Sequence, residues 1–293
     1  MTISLTRRSM LAGSLLAAPA LMVARTALAD VKDAAAQLRA LEKKYGGRLG
    51  VAILDTATGT RIEHRADERF ALCSTFKVLA STAVLARVDK GEEKLDRRIT
   101  YEKKDLVTYS PETEKHVGKK GMTLAELCEA AITLSDNTAG NLLLASFGGP
   151  AGLTAYARSL GDEVTRLDRI ETALNEAKTG DPRDTTSPAA MLADLQKLVL
   201  GDALSPASRD QLKTWLLANK TGDKRLRAHL PKDWKVGDKT GTGDNGSAND
   251  VGILWPPKGG PIIVSSYFAE SSASTDEKNT VHAEVGRIAA SLV

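Results

Sequence analysis

The chain has 293 residues, of which 42% are hydrophobic and 26% charged, with a formal net charge of +3. That length holds one large domain or two small ones with an ample core, and the composition is that of a soluble globular protein. The basicity is confined to residues 1–29, which carry three arginines and no acid, so the remainder has 37 basic and 37 acidic residues; nothing points to nucleic acid or to an anionic membrane surface as a partner.

Arg7 and Arg8 lead into an apolar run from Met10 to Ala24, and Ala27-Leu28-Ala29 supplies a small-x-small cleavage pattern. The run is too short to span a bilayer as a helix. "TRRSML" matches the look of a twin-arginine export signal, so residues 1–29 are expected to be removed after Ala29. No cysteine stands at the cut to carry a lipid, so the product is expected in the periplasm or secreted, without a membrane anchor.

Over 30–293 the periodicity changes twice. A helix is expected from near Asp33 to Lys44, with Ala34, Leu38 and Leu41 on one stripe, ended by Gly46-Gly47. "RLGVAILD" and "TRIEHR" then read as a β-hairpin. From Ser74 to about Leu216 the pattern is helical. Phe76, Leu79, Ala80, Ala83, Val84 and Val88 recur at helical spacing up to Gly91. Thr123 and Glu126 form a capping box, and Ser187-Pro188 and Ser205-Pro206 each mark a helix start. After Trp234 the strands return as "WKVGDKTG", "NDVGILWP" and "PIIVSSYFA", followed by a last helix from about Thr275. Strands at both ends of the chain flanking a helical middle predict an α+β fold: an antiparallel sheet packed by the terminal helices, with an all-α domain inserted between its strands.

Cys73 and Cys128 are too few for a disulfide framework and read as two buried thiols. His64, His116, His229 and His282 lack metal-ligand spacing, so they are taken as structural or surface residues and no metal is expected.

"DKTGTGDNGS" raises a choice. Gly241, Gly243 and Gly246 fit G-x-G-x-x-G, a dinucleotide fingerprint, but that motif needs the glycines to open a helix after a strand. Here they lie between two strands. The other reading is Lys239-Thr240-Gly241, a basic strand end able to hold an anion. Two further motifs precede it. Ser74-Thr-Phe-Lys77 opens a helix, where residues three apart share a face and an amine can serve a serine nucleophile. Ser135-Asp136-Asn137 falls between two helices. Each alone is more simply a capping serine with a surface lysine, a capping turn, or a hairpin end.

In the order S-x-x-K, S-D-N, K-T-G, the three motifs resemble those of the class A serine β-lactamases and, more distantly, of the penicillin-binding proteins. The segments "DLVTYSPETEKH", "AITLSDNTAGNLLL" and "RLDRIETALNEA" extend the resemblance over essentially the whole of 30–293. It implies a five-stranded antiparallel sheet, with 30–72 and 217–293 forming an α/β part and 73–216 a helical part. It also implies a serine hydrolase opening the β-lactam amide through an acyl-enzyme on Ser74, with no cofactor, small-molecule β-lactams as partners and a monomeric chain.

The remaining roles also come from the resemblance. Glu171 and Asn175, in the poorly periodic stretch between Gly161 and Ser187, match the pair that holds the hydrolytic water. Arg169 and Asp184 match the ion pair at the neck of that omega-shaped loop. Ser135 relays a proton to the leaving nitrogen, and Asn137 binds the substrate's side-chain amide. Lys239, Thr240 and Gly241 hold its carboxylate, supported by Arg225. The backbone N–H groups of Ser74 and Thr242 form the oxyanion hole, and Tyr109 stacks at the entrance. Arg225 and Tyr109 also read as a solvated arginine and a surface aromatic. Where the family often has proline after the glutamate, this chain has Thr172, with a cis peptide implied between Glu171 and Thr172. Either Lys77 or Glu171, through a water, can be the base that activates Ser74.

Two other functions stay open on sequence: a D,D-peptidase, and a sensor that remains acylated. Glu171 discriminates them, because a carboxylate near the ester can deprotonate water and release the acyl group. Some carbapenem-hydrolysing relatives bridge a cysteine beside the nucleophile to one after K-T-G-T. The partner position here is Gly243, so penicillins and early cephalosporins are the expected substrates.

Overall fold

The computed structural model describes residues 17–293, with side chains from residue 31 onward. The arginine pair and the first part of the expected export signal lie outside the described residues. Helix α1 runs from Ala17 to Tyr45, beginning earlier than the periodicity around Asp33 predicts and passing without a break through the expected cut after Ala29. Pro19 falls in the first turn, where a proline is tolerated, and from Ala20 to Asp33 the segment is rich in alanine and leucine with no glycine or proline, so nothing local ends the helix there. Gly46 and Gly47, both at positive φ, do end it.

Strands β1 (Arg48–Asp55) and β2 (Arg61–His64) form the expected hairpin. β7 (Lys235–Thr242), β8 (Ala248–Trp255) and β9 (Ile262–Ala269) come from the other end of the chain. Together they make one antiparallel sheet in the order β2-β1-β9-β8-β7, which closes when β1 pairs with β9. Helix α8 (Thr275–Ala290), capped by Ser274, packs with α1 on one face. That face presents Leu49, Val51 and Ile53 of β1 with Val264 and Phe268 of β9. Ala52, Leu54, Ile263 and Tyr267 point the other way, into the helical part. Covered on both sides, the strands read as near-continuous apolar runs.

The inserted region carries α2 (Phe76–Asp89), α3 (Leu124–Thr133), α4 (Asn137–Ser146), α5 (Gly149–Ser159), α6 (Pro188–Leu195) and α7 (Pro206–Leu217). The caps predicted at Thr123, Ser187 and Ser205 are formed, each side chain accepting a backbone N–H. Helical periodicity does not announce two strand pairs that the structure adds. β4 (Arg98–Tyr101) pairs with β5 (Gly118–Thr123), and β3 (Phe70–Ala71) pairs with β6 (Thr185–Thr186). Such short strands are set by long-range pairing and leave little local signal. A π-helical turn, Gln196–Leu200, extends α6.

Helix α2 is the axis of this region. Every residue from Phe76 to Leu85 is buried, including Lys77, Ser81 and Thr82, so it is a core helix rather than one with an outer face. Helix α4 approaches it through Gly140, where a β-carbon would stand 2.9 Å from Cε of Lys77.

Candidate active site

Ser74 sits in a 3-10 turn, Cys73–Thr75, that leads into α2. Cys73 takes φ 43°, and this left-handed residue turns the chain from β3 into the helix. Three residues on, Lys77 lies on the same face. Its Nζ is fully buried and touches four oxygens: Ser74 Oγ at 2.8 Å, Asn137 Oδ1 at 2.6 Å, Ser135 O at 3.0 Å and Glu171 Oε1 at 2.8 Å. Burial pushes Lys77 below the ordinary lysine range, and the Glu171 carboxylate opposes that push. An amine so placed can exchange protons with the serine.

Glu171 arrives from the loop between α5 and α6. Its Oε1 accepts from Ser74 Oγ at 3.4 Å and its Oε2 from Asn175 Nδ2 at 2.5 Å. Its backbone is held at both ends by Asn141, which donates to Glu171 O at 3.0 Å and accepts from Glu171 N at 2.8 Å. The Glu171–Thr172 peptide is cis. The loop's neck is tied by Arg169, whose Nε donates to Asp184 Oδ2 at 2.6 Å. Asp184 Oδ1 also accepts the backbone N–H groups of Asp168 and Arg169, at 2.8 and 2.9 Å. One buried carboxylate thus satisfies both strands of the neck.

Lys239 closes the other side. Its Nζ donates to Ser135 Oγ at 2.9 Å and to Thr240 O at 2.7 Å. Burial, and next the charge of Lys77, hold it well below the usual lysine range. Ser135 adopts φ 58° and Tyr109 φ 63°. These sparsely populated conformations aim the two side chains at the cavity and persist only because the surroundings hold them. Asp136 supplies that hold: its carboxylate accepts from the backbone of Glu112, Thr113 and Ala139, each at 2.9 Å.

Ser74, Tyr109, Ser135, Asn137 and Asn175 face the end of β7 across a cavity of about 320 Å³, and every residue on its wall except Thr221 is one the sequence singles out. Asn175 Oδ1 is buried and has no hydrogen-bond partner among the described residues, so it offers an acceptor beside Glu171. Tyr109 stands at the mouth, 58% exposed.

Two predicted residues are engaged differently from expectation. Asn137 has both ends of its amide bound within the protein, to Lys77 and to Thr108 O. The terminal nitrogens of Arg225 donate to Gly241 O, Asn249 O and the hydroxyl of Thr242, at 2.8, 2.6 and 2.8 Å. Arg225 is buried and anchors the end of β7 rather than standing free in solvent.

Sequence reasoning missed Asn141 and Thr221. Asn141 lies one helical turn after Asn137, on the same face of α4, which is a readable signal. Thr221, whose hydroxyl meets that of Thr240 at 2.6 Å, carries none. Both cysteines are free and buried, and burial pushes each thiol up to about 12.

A family model described as the β-lactamase enzyme family matches residues 33–293. The chain belongs to that family. This class A β-lactamase is 49% identical to β-lactamase Toho-1 of Escherichia coli over 282 residues, which is 96% of each chain. It is 48% identical to β-lactamase L2 of Stenotrophomonas maltophilia, over 97% of this chain and 94% of that one. Among solved structures, an ancestral class A β-lactamase superposes with a TM-score of 0.87 at 67% identity, covering 89% of this chain and all of the other. The β-lactamase's α+β architecture agrees with those relatives.

Proposed function

We propose that the enzyme hydrolyses penicillins and early cephalosporins through an ester on Ser74, formed with help from Lys77 and broken by water that Glu171 activates. The supporting observation is that Ser74 Oγ, Lys77 Nζ and Glu171 Oε1 lie within 3.4 Å of one another in a buried centre. Ser74 Oγ attacks the β-lactam carbonyl, and its proton passes to Lys77 or, through water, to Glu171. The backbone N–H groups of Ser74 and Thr242 stabilise the oxyanion, whose charge develops only in the transition state. As the C–N bond breaks, the ring nitrogen takes a proton from the Ser135 hydroxyl, to which Lys239 Nζ donates at 2.9 Å. Ser135 is reprotonated by the base that took the Ser74 proton, Lys77 lying 3.0 Å from its carbonyl oxygen. Glu171 then removes a proton from water, the water attacks the ester, and Ser74 is regenerated with its proton.

The substrate carboxylate lies against Lys239, Thr240 and Gly241. Arg225 supports that anion indirectly, by fixing the backbone and the Thr242 hydroxyl at the end of β7. Asn175 holds the hydrolytic water through its amide oxygen, and Arg169 and Asp184 keep the loop's neck closed. Tyr109 stacks on the substrate at the mouth, and Asn137 meets its side-chain amide when it releases Thr108. The reaction draws on no metal or organic cofactor.

The chain works as an exported monomer, residues 30–293, in the periplasm or outside the cell. No helix among the described residues is long and apolar enough to cross a membrane. Within 30–293, residues 30–72 and 217–293 act as the α/β part and 73–216 as the helical part, with the site along their junction.

The test is intact mass spectrometry of the processed chain with excess benzylpenicillin, followed in time beside Glu171→Ala. The wild type returns to its bare mass as penicilloate accumulates, while the variant stays acylated. A wild type that retains one adduct per chain points instead to a peptidase or a sensor. Hydrolysis of imipenem at a rate comparable to benzylpenicillin would show the substrate assignment to be too narrow.

A further inference from the structure

Two buried carboxyls lie outside the reaction just described. Asp162 follows α5, and Asp194 is in α6. Asp162 Oδ1 accepts the N–H groups of Val164 at 2.7 Å and Thr165 at 2.9 Å, fixing the chain as it enters the loop that carries Glu171. The Thr165 hydroxyl then meets that of Thr186 at 2.6 Å, where the loop returns. Helix α6 starts two residues later, at Pro188. The turn that extends α6 packs on the same segment, Lys197 Nζ donating to Leu160 O two residues before Asp162, and Asp194 lies there beside the Asp162 carboxyl, so the two carboxyls join the segment entering the loop to the helix leaving it.

Three of their four oxygens, Asp162 Oδ2 and both of Asp194, are buried without a hydrogen-bond donor among the described residues. The charged groups that face them are spent elsewhere. Lys197, from the π-helical turn, donates to Leu160 O, and Arg158, from α5, donates to Asp162 O and Thr165 O. The acid that Arg158 pairs with is Glu163, at 3.5 Å. Tyr156 of α5 and Tyr267 of β9 complete the titratable surroundings, and burial keeps both phenols protonated. Two ionised carboxylates in contact, with no donor between them, would repel in a medium that screens little. One proton between them supplies the missing donor and removes the second charge.

We propose that Asp162 and Asp194 share one proton at neutral pH and that the pair is a positioning clasp for the loop that carries Glu171. Burial, and next the charge of Asp162, push the Asp194 carboxyl up to about 9, in line with that geometry. In the unfolded chain it titrates near ~4. Between those values only the folded state holds the proton. The clasp's contribution to stability is therefore full below pH ~4 and is lost as pH rises through about 9. Above that the second charge forces the pair apart and loosens the entry of the loop. The loop-positioning half of the proposal rests on Glu171 acting in deacylation; the shared proton does not.

Asp194→Asn tests both halves, because its amide donates to Asp162 at every pH. Thermal midpoints of wild type and variant are measured from about pH 5 to about pH 9, alongside kcat for benzylpenicillin. The expected result is a variant midpoint that gains on the wild type by roughly 3 °C per pH unit. kcat is unchanged near pH 7, and its alkaline decline moves up by about one pH unit or more. A midpoint difference that stays flat with pH overturns the shared proton. A rising difference with an unmoved alkaline decline overturns the positioning role. Should Asp194→Asn not fold, Asp162→Asn carries the same measurement with the same expected rise. Failure of Glu171→Ala to trap the acyl-enzyme would overturn the deacylation reading and leave the midpoint trend standing.

Discussion

Lys77 Nζ lies 2.8 Å from Glu171 Oε1, and neither side chain is exposed. The same nitrogen is 2.8 Å from Ser74 Oγ, so one amine bridges the nucleophile and the carboxylate assigned to deacylation. Replacing Glu171 by Gln keeps the shape and removes the base. Turnover of benzylpenicillin is expected to fall ~10²–10⁴-fold. Stopped-flow acylation of the same variant separates the two candidate bases. Acylation stays near the wild-type rate if Lys77 takes the serine proton, and slows with deacylation if Glu171 does.

Lys239 is held down by burial and by the neighbouring charge of Lys77. As pH rises it loses its proton before an ordinary lysine would, and the cation that meets the substrate carboxylate disappears. KM for benzylpenicillin is therefore expected to climb on the alkaline side, separately from the decline in kcat assigned to the Asp162–Asp194 pair, and to climb equally in Asp194→Asn. A KM flat with pH up to the usual lysine range would show that the strand's backbone and Thr240 carry the anion by themselves.

His282 is buried between Ser266 Oγ and Ala248 O, and burial pushes it down to about 3. It is neutral when folded and takes a proton near ~6.5 when unfolded. Its contribution is thus present above ~6.5 and lost as pH falls toward about 3, at about 1.4 kcal/mol per pH unit. Urea unfolding of wild type and His282→Asn at several pH values checks this. The variant is expected to be less stable at neutral pH but to show a shallower acid slope.

A β-carbon at Gly243 would stand 2.7 Å from both Cys73 Sγ and Asn175 O. Gly243→Ala therefore pushes at once on the nucleophile's turn and on the loop holding Glu171. It is expected to cost ~1–3 kcal/mol of stability and to lower kcat for benzylpenicillin. Unfolding curves and steady-state kinetics read the two effects separately.

Removing Arg169 leaves Asp184 buried with backbone donors only. Arg169→Ala is expected to cost ~3–5 kcal/mol, the usual consequence of breaking a buried pair from one side. Because the neck opens, limited proteolysis should cut first between Arg169 and Asp184. Acylation by penicillin should outlast deacylation in the same variant.

How much of this was written in the chain follows from the range of each interaction. Ser74 and Lys77 are three residues apart on a helix, so their meeting is a matter of local geometry that any reader of the motif can predict. The hairpin of β1 and β2, the caps at Thr123, Ser187 and Ser205, and the return to strands after Trp234 are equally local, set by turn chemistry and periodicity. Through the family resemblance, the sequence also named nearly every wall of the cavity. Tertiary structure alone decided what those groups touch across the fold. It turned α2 into a helix buried on every side, occupied both ends of the Asn137 amide and tied Arg225 to the end of β7. It also brought Asn141 to the backbone of Glu171 and set Asp162 against Asp194. None of these leaves a pattern along the chain, because each pairs residues whose proximity exists only after the sheet has closed and the helices have packed. The energy of such contacts lies in burial and in satisfied or shared protons, and those are properties of an enclosed volume rather than of a string.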